Sequence, residues 1–460
     1  MPAPCARGCE NSMASPIERA APVYVESGHT ARVNALMGIP TVVRGLIGGL
    51  SSRGCAVHPV RWSFRRNGLT LLKSKWEENL GRPGGRSPWL PVSSLRQPRF
   101  WPAWFRAAGL RDKIPLHRHP AHAGNFGGGW VILPELLEGS QVRLITEYAR
   151  QHAMRVAGIF HDAIPWLHPA VVRHRSREQH ADYMRAFAEL DVVIPVSRQS
   201  ARDFMAFLES EGRPPPPVTI CGLAAEIAGQ ERESEFRESP EQSLTGSTGI
   251  LPVNGIRPRQ DARAPSGSPP SPASRVGSRR RTVKILCVGT LEPRKNHARV
   301  IEAFQLASSR FAVGDLELHL VGAAYAGDPE IARTVREITT KNPRIIWHES
   351  AGSGELRDLY RNCDFTVFGS WIEGFGLPVM ESLWFGQPCL CSDEGVMAEN
   401  AAGGGCLMVD VQNVGALADG MGKLAGQPDF RRELAEQAMR RKLKTWDGYA
   451  GEIRQILKET

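Results

Sequence analysis

The chain has 460 residues, of which 42% are hydrophobic, enough to form a core in each of two or three domains. It contains no run of eighteen apolar residues, which argues against a membrane-spanning helix, and its odd number of cysteines argues for reduced thiols rather than a disulfide framework. Seven arginines and one aspartate between residues 250 and 281 contribute +6 of the net charge of +9, so the remainder lacks the basic surface of a nucleic-acid-binding protein.

Residues 21–229 have the pattern of a first α/β domain. The preceding residues 1–20 lack the basic start and apolar stretch of a secretory signal, and we expect a disordered leader there. A glycine turn at Gly38 predicts a helix that ends at Gly54, and Ser197 is placed to cap a later helix. We assign no element to residues 63–128. The predicted strands are PVYV (22–25), CAVHPVRW (55–62), GWVILPELL (129–137), RVAGIFHD (155–162) and ELDVVIPVS (189–197).

Residues 230–281 are rich in Ser, Pro, Gly, Glu and Arg and have no helical or strand period, which predicts a disordered insertion. Residues 282–460 then alternate strands and helices, which predicts a parallel sheet covered on both faces. Ligands of such sheets bind at the carboxyl ends of the strands. The predicted strands are VKILCVG (283–289), LELHLVG (316–322), RIIWH (344–348), DFTVFGS (364–370), QPCLCS (387–392) and GCLMVD (405–410).

Cys389 and Cys391 form a C-x-C pair inside one of these apolar runs. A metal site would need further ligands, and the neighbouring sequence suggests none. A buried strand with small side chains is the favoured interpretation.

The segment GTLEPRKN (289–296) directly follows the first of these strands and precedes a helix. Its Arg294 and Lys295 would lie at a helix start, where charge-assisted hydrogen bonds to phosphate oxygens add to the helix dipole. The segment therefore predicts a diphosphate clamp, and an ordinary basic surface loop is an equally weighted alternative.

The segment SWIEGFGLPVMES (370–382) follows the strand DFTVF. Glu373 and Glu381 bracket a glycine-rich loop that opens a helix at Pro378, with Glu373 in the loop and Glu381 in the first turn. Carboxylates can accept hydrogen bonds from the hydroxyls of a sugar or a ribose. The alternative is that Glu381 only favours the helix dipole and that Glu373 is exposed.

Together, GTLEPRKN and the E-x7-E pattern of EGFGLPVME resemble the donor site of family-4 retaining glycosyltransferases, which have the GT-B fold. The resemblance covers almost all of residues 283–457 and implies two Rossmann-like domains that face each other across a cleft. It implies that Arg294 and Lys295 hold the donor diphosphate, that Glu373 contacts the transferred sugar and that Glu381 binds the ribose. The loop residues Gly374, Phe375, Gly376 and Leu377 would bind sugar and phosphates through backbone amides. The family's Gly-Gly-x-x-Glu stretch is altered here to DEGVMAEN (393–400), whose acid is Glu399.

FHDAIPWLHP (160–169) is similar to the H-D-x-I-P motif of a bacterial mannosyltransferase-like subgroup of that family. The resemblance implies that His161 is the active-site histidine facing the donor sugar and that Asp162, on the acceptor side, orients its surroundings. A histidine at a strand end is more often structural when taken by itself. Tyr183 and VIPVSRQSARDF (193–204) fit the same pattern.

GIPTVV (38–43) resembles the subgroup's loop near donor and acceptor, which implies acceptor-side roles for Gly38 and Ile39. Thr41 stands where an arginine is usual. TICGLAAEI (219–227) corresponds to the junction between the domains.

These features predict a retaining hexosyltransferase that uses a nucleoside diphosphate sugar as co-substrate and a glycan or lipid-linked acceptor, in surface polysaccharide synthesis. No Asp-x-Asp occurs in the chain, so we expect no obligatory metal or other cofactor. We expect a cytoplasmic protein that meets a lipid-linked acceptor at the inner face of the cell membrane and binds no specific nucleic acid.

Two alternatives remain open. One is a nucleotide-sugar epimerase or phosphorylase-like enzyme on the same fold, since a fold hosts many reactions. The other is a non-enzymatic scaffold that binds polymers through the arginine-rich insertion.

Overall fold

The structure, a computed structural model, describes residues 21–32, 38–72, 80, 126–172, 175–227, 232, 281–311, 315–325 and 327–460. The leader predicted over residues 1–20 lies outside these residues, and so does the predicted insertion 230–281 apart from Arg232 and Arg281. Within the described stretches, no helix is both long enough and apolar enough to cross a membrane.

The first domain contains a six-stranded sheet in the order β3-β2-β1-β4-β5-β6. Its strands are β1 (Val23–Glu26), β2 (Val57–Ser63), β3 (Gly68–Leu71), β4 (Trp130–Leu133), β5 (Arg155–Phe160) and β6 (Val192–Pro195). Its described helices are α1 (Ile39–Ser52), α2 (Gly139–Gln151), α3 (Ile164–Leu167), α4 (Arg177–Phe187) and α5 (Arg198–Ser210). The five predicted strands are present and parallel, whereas β3 was not predicted and pairs antiparallel with β2.

This sheet is buried because helices cover both of its faces. Every residue of β4 and β6 is buried, as expected of a parallel strand between two helical layers. The predicted cap is confirmed, since the Ser197 hydroxyl accepts a hydrogen bond from the backbone N–H of Ser200 at the start of α5.

The second domain contains an all-parallel sheet in the order β12-β11-β10-β7-β8-β9. Its strands are β7 (Val283–Val288), β8 (Leu316–Val321), β9 (Ile345–His348), β10 (Phe365–Phe368), β11 (Cys389–Ser392) and β12 (Cys406–Val409). The helices that follow are α6 (His297–Arg310), α7 (Pro329–Lys341), α8 (Ser353–Asn362), α9 (Leu377–Trp384), α10 (Gly395–Ala401), α11 (Val414–Gly426), α12 (Pro428–Arg440) and α13 (Trp446–Glu459). All six predicted strands are confirmed, and with the first sheet they confirm the predicted class of two Rossmann-like domains.

The C-x-C pair lies in a fully buried strand, β11, as predicted. The structure adds a neighbour that the sequence did not indicate, because Cys406 of β12 is the register partner of Cys389. Even so, the described residues contain no group of three or more His, Cys, Asp or Glu side chains arranged for a metal ion. The described cysteines are free thiols.

The last helix, α13, crosses back and packs against α1 of the first domain. Gly45 of α1 lies directly against the Trp446 indole, where a Cβ would come within 2.1 Å of a ring carbon. Arg53 at the end of α1 forms an ion pair with Asp447 at 2.7 Å. The sequence assigned residues 282–460 to the second domain. Helix α13 instead packs its apolar face into the core of the first domain, so the C-terminal end of the chain connects the two domains a second time.

Candidate active site

The carboxyl ends of the two sheets border one cavity of about 380 Å³. All of the site residues singled out from the sequence line it, from both domains. They are Gly38, Ile39, His161 and Asp162 of the first domain, and Arg294, Lys295, Glu373, Gly374, Phe375, Gly376, Leu377 and Glu381 of the second. The structure thus brings together residues that are more than 300 positions apart, and their individual roles remain predictions.

Arg294 and Lys295 lie in a 3-10 turn (Pro293–Lys295) directly before α6. Both cations contact the carboxylate of Glu373, Arg294 Nη1 at 2.6 Å from Oε2 and Lys295 Nζ as a short ion pair with Oε1. The hydroxyl of Ser370 donates a third bond to Glu373 Oε1 over 2.7 Å. Glu292 accepts from Arg294 Nε at 2.9 Å. The predicted clamp is therefore a cluster of paired, partly buried charges rather than an ordinary basic surface loop.

The positive charges of Arg294 and Lys295 determine the protonation state of Glu373. Burial opposes ionisation of Glu373, but the charges of Arg294 and Lys295 outweigh burial and lower its pKa to about 2. Burial lowers the pKa of Lys295, and the negative charge of Glu373 offsets part of that effect. The carboxylate of Glu373 is 10% exposed, which excludes the interpretation of an exposed loop glutamate.

The glycine-rich loop turns into α9 at Gly376, whose φ of 80° lies in the left-handed region that favours glycine. The helix begins at Leu377, one residue before the predicted start at Pro378. The sequence placed Glu381 in the first turn of this helix, which is wrong, because the first turn of α9 contains no acidic residue. The carboxyl therefore points into the protein from the following turn rather than compensating the helix dipole.

Glu381 is buried and accepts a hydrogen bond from the hydroxyl of Tyr360, at 2.8 Å from Oε2. Burial raises the pKa of Glu381 to about 7, although the Tyr360 hydrogen bond and the charge of Lys295 act in the opposite direction. Tyr360 was missed by the sequence analysis. It lies on helix α8 four positions after the buried Leu356, and the only local signal was this apolar spacing inside ELRDLYRNC.

His161 follows β5 and is 8% exposed. Its Nε2 is 2.7 Å from the carbonyl oxygen of Pro134. Because a carbonyl only accepts, Nε2 carries the ring proton, and Nδ1 of the neutral ring has the free lone pair. Burial lowers the pKa of this ring, which keeps it neutral around neutral pH.

Asp162 does not orient the His161 ring directly. Its Oδ1 accepts the backbone N–H of Ile164 at 3.0 Å, which organises the start of the short helix α3. Its carbonyl is 3.0 Å from Nε2 of His180 on α4. Asp162 therefore stabilises the loop after β5, while the Pro134 carbonyl fixes the ring.

Two buried carboxyls near His161 were also missed. Glu135 follows Pro134 and accepts the backbone N–H groups of His29 and Thr30 at 2.8 and 2.6 Å. Glu26 at the end of β1 is buried beside it, and burial together with the neighbouring Glu135 charge raises the pKa of Glu26. These carboxyls fix the loop after β1 next to the strand end that carries His161.

The acceptor-side residues lie at the start of α1. Gly38 is its N-cap, with a φ of 70°, and Ile39 is its first residue. Glu399 of the altered glycine stretch is not among the residues that line the cavity. Its Oε1 accepts the backbone N–H of Arg198 in the first domain at 3.1 Å.

Comparisons with known proteins agree with this architecture. Residues 274–441 match the family described as glycosyl transferases group 1. The chain is similar to the serotype-specific mannosyltransferase WbdA of Escherichia coli, with 29% identity over 31% of this chain and 17% of one relative, and 24% identity over 54% and 28% of another. The matched stretches thus span at most about a quarter of the length of these relatives.

Two solved structures share the fold over nearly the whole chain. Sucrose-phosphate synthase from Thermosynechococcus elongatus is 16% identical, with a TM-score of 0.60 over 95% of this chain and 98% of that one. HepE of Anabaena in complex with UDP-glucose is 13% identical, with a TM-score of 0.60 over 96% and 100%. Residues 274–441 therefore match the glycosyl transferases group 1 family, within a chain whose two-domain GT-B fold these solved structures share.

Proposed function

We propose that the protein is a retaining glycosyltransferase, which moves a hexose from a nucleoside diphosphate sugar to a hydroxyl group of a glycan or lipid-linked acceptor. The observation that carries the proposal is the position of the Arg294–Lys295 pair and of His161 on opposite walls of one cavity. One wall has the positive charge that a leaving diphosphate needs, and the other has a neutral histidine.

The second domain is suited to hold the donor. Arg294 and Lys295 would bind the diphosphate, and the backbone N–H groups of the loop from Phe375 to Leu377, at the start of α9, would add to them. In the ligand-free protein Glu373 already binds both cations, so the diphosphate must share these cations with it. A carboxylate has four lone-pair sites, and Arg294, Lys295 and Ser370 use three of them, which leaves Glu373 one site to accept a hydroxyl of the sugar.

The ribose would lie against Glu381. Tyr360 occupies Oε2 of that carboxyl, which leaves Oε1 for the ribose hydroxyls. The two acidic residues of E-x7-E thus have different surroundings, one permanently charged beside two cations and the other close to its titration point at neutral pH.

Transfer requires that the bond between the anomeric carbon and the diphosphate oxygen breaks while the acceptor oxygen approaches, through a carbon with oxocarbenium character. A double-displacement mechanism needs a free carboxylate nucleophile. The carboxylates that line the described cavity are each engaged in a protein contact, namely Asp162, Glu292, Glu373 and Glu381. We therefore favour attack from the face of the departing diphosphate, with a phosphate oxygen accepting the acceptor proton, which retains the configuration.

The similarity to a mannosyltransferase makes mannose the first sugar to test, and the solved complex of HepE with UDP-glucose makes glucose the second. An acceptor in surface polysaccharide synthesis, at the inner face of the membrane, remains our proposal. The group 1 match favours transfer over epimerisation or phosphorolysis on the same fold. A polymer scaffold would not need the cluster of paired charges at the donor wall.

The test is a screen of GDP-mannose, UDP-glucose and UDP-galactose for release of the nucleoside diphosphate, with and without added oligosaccharide acceptors. We expect one donor to be consumed by the wild type and not by the Arg294→Ala/Lys295→Ala variant. Arg299→Ala is the control, because this neighbouring arginine contacts Asn296 and does not line the cavity. Conversion of a sugar nucleotide to its epimer, or consumption that depends on inorganic phosphate, would instead support the alternative enzymes.

A further inference from the structure

Two buried serines at the start of α5, Ser197 and Ser200, reach from the first domain to the donor loop of the second. They are 2% and 1% exposed. The Ser197 hydroxyl lies 2.8 Å from the carbonyl oxygen of Gly374, and the Ser200 hydroxyl lies 2.7 Å from the carbonyl oxygen of His161. The helix cap that the sequence predicted at Ser197 is therefore also a contact between domains.

Each of the two serine hydroxyls has its own carbonyl acceptor. Each serine has one hydroxyl proton, and each carbonyl oxygen only accepts. With Ser200 donating to His161 and Ser197 donating to Gly374, both carbonyls are satisfied through their shortest serine contacts, and the longer 3.1 Å contact of Ser200 with Gly374 is secondary. The Ser197 oxygen remains free to accept the N–H of Ser200 at 3.0 Å, so capping and bridging are compatible.

The two carbonyl-bearing residues are themselves pressed together. A Cβ at Gly374 would lie 2.2 Å from the His161 carbonyl oxygen, a distance that only glycine permits. Without the serine hydroxyls, these backbone groups would lose hydrogen-bond donors at a buried contact, which costs free energy. The arrangement requires the two domains to be closed.

A further contact stabilises the same closed arrangement. Glu399 of α10 accepts the backbone N–H of Arg198, the first residue of α5. A carboxylate at a helix N-terminus is favoured by the helix dipole, and here it comes from the other domain.

We infer that Ser197 and Ser200 are positioning residues, a clasp between the domains that fixes His161 against the donor loop Glu373–Gly374. Ser200 fixes the main chain of His161, and Ser197 fixes the residue that follows Glu373, whose carboxylate holds both cations. The clasp thereby sets the distance between the histidine and the donor wall. Its consequence for turnover depends on the proposed transferase function, whereas its consequence for domain closure does not.

Two variants test the clasp. Ser197→Ala/Ser200→Ala removes both hydroxyls. Gly374→Ala keeps them but adds a methyl group that the His161 carbonyl cannot accommodate unless the domains separate. For both we expect turnover to fall about tenfold or more, through unpaired buried carbonyls in the serine variant and through the clash with the His161 carbonyl in Gly374→Ala. In the double serine variant, affinity for UDP and GDP should change less than about twofold, because both serines lie in the first domain and Arg294, Lys295 and Glu381 all lie in the second.

Domain closure is measured separately by small-angle X-ray scattering, where both variants should show a larger radius of gyration than the wild type. Ser210→Ala is the matched control, because this serine lies at the other end of α5 and donates only to the Phe207 carbonyl of its own helix. The scattering comparison remains valid if the wild type consumes no sugar nucleotide, so failure of the proposed function and failure of the clasp are distinguishable.

Wild-type turnover and an unchanged radius of gyration in the double serine variant would overturn the inference. It would also be overturned if melting temperature, UDP or GDP affinity and turnover all declined in parallel, because that pattern belongs to serines that only stabilise the fold.

Discussion

The hydroxyl of Tyr360 donates a buried hydrogen bond of 2.8 Å to Glu381, between α8 and α9. A hydrogen bond to the ionised form of a carboxyl favours that form, whereas burial disfavours it. The balance leaves the pKa of Glu381 at about 7, so small changes around this side chain alter its charge at physiological pH.

Replacing Tyr360 with Phe should raise the pKa of Glu381 further and make nucleotide binding more dependent on pH. If the ionised carboxylate accepts the ribose hydroxyls, affinity in the wild type rises as pH increases through about 7, and the variant needs a higher pH to reach the same affinity. Calorimetric titration with UDP and GDP between pH 6 and pH 9 measures both midpoints. Tyr449→Phe is the control, since that buried hydroxyl belongs to α13. Superimposable pH profiles of Tyr360→Phe and wild type would contradict the prediction.

The raised pKa of Glu381 also makes the folding stability depend on pH. The folded-state pKa of Glu381 is raised above the ordinary value of 4.5, so the folded protein binds this proton more tightly than the unfolded chain. The free energy of unfolding therefore loses this contribution as pH rises from about 4.5 to about 7. Glu381→Gln should flatten that part of the stability profile, and it should weaken nucleotide binding by about 1–3 kcal/mol through the lost acceptor.

Replacing Glu373 with Gln should strengthen the binding of a nucleoside diphosphate and slow the transfer of the sugar. The carboxylate offsets part of the positive charge of Arg294 and Lys295 in the ligand-free protein. Its replacement leaves this pair more positive, although Arg294 keeps its ion pair with Glu292, and bare UDP or GDP should bind several-fold more tightly. Turnover should fall about tenfold or more, because the sugar loses its carboxylate contact. Affinity from calorimetry and turnover on one preparation are the two readouts. Unchanged turnover together with unchanged affinity would remove Glu373 from the site.

The pH dependence of this group runs in the opposite direction to that of Glu381. The folded-state pKa of Glu373 is lowered to about 2, so its stabilising contribution is present above about 4.5 and is lost as pH falls toward 2. The Gln variant lacks this contribution, and its difference in unfolding free energy from the wild type should shrink under acid.

Much of the second domain follows from its sequence because its strands are continuous apolar runs that alternate with amphipathic helices. The loops after β7 and β10 contain the motifs GTLEPRKN and EGFGLPVME. The parallel topology brings these two loops together, since β7 and β10 are neighbours in the sheet. That neighbourhood explains why two motifs about eighty positions apart form one cluster with Glu373 at its centre.

Other features follow from tertiary packing and leave little local signal. Strand β3 lies in a stretch without regular alternation, and its place is set by pairing with β2. Tyr360 is a single aromatic residue on a polar helix, and its partner lies on another helix. The return of α13 to the first domain depends on a glycine of α1 that admits the Trp446 ring, which no pattern within either segment predicts.

Activity should persist in excess EDTA. The charge that develops on the leaving diphosphate can be compensated by Arg294 and Lys295, and the sequence contains no Asp-x-Asp to hold a metal beside it. Turnover of the active donor with and without chelator is the measurement. Complete loss of activity that Mn²⁺ restores would show that the cation pair does not suffice.

The last prediction concerns His161. Replacing it with Ala should lower turnover by about a hundredfold or more while UDP and GDP affinity stays near the wild-type value, because a misplaced group near the reacting carbon affects the transition state more than ground-state binding.

The ring of His161 is buried and bonded to the Pro134 carbonyl, so some loss of melting temperature accompanies the change. His152→Ala calibrates that loss, because the ring of this histidine contacts the Tyr148 carbonyl and ring at the end of α2 and is not among the described residues that line the cavity. If His161 is structural only, both variants should lose turnover in proportion to their unfolded fraction. If it acts on the sugar, the folded His161→Ala protein should be nearly inactive at a temperature where the folded His152→Ala protein works normally. A folded His161→Ala protein with near-native turnover would exclude the catalytic role.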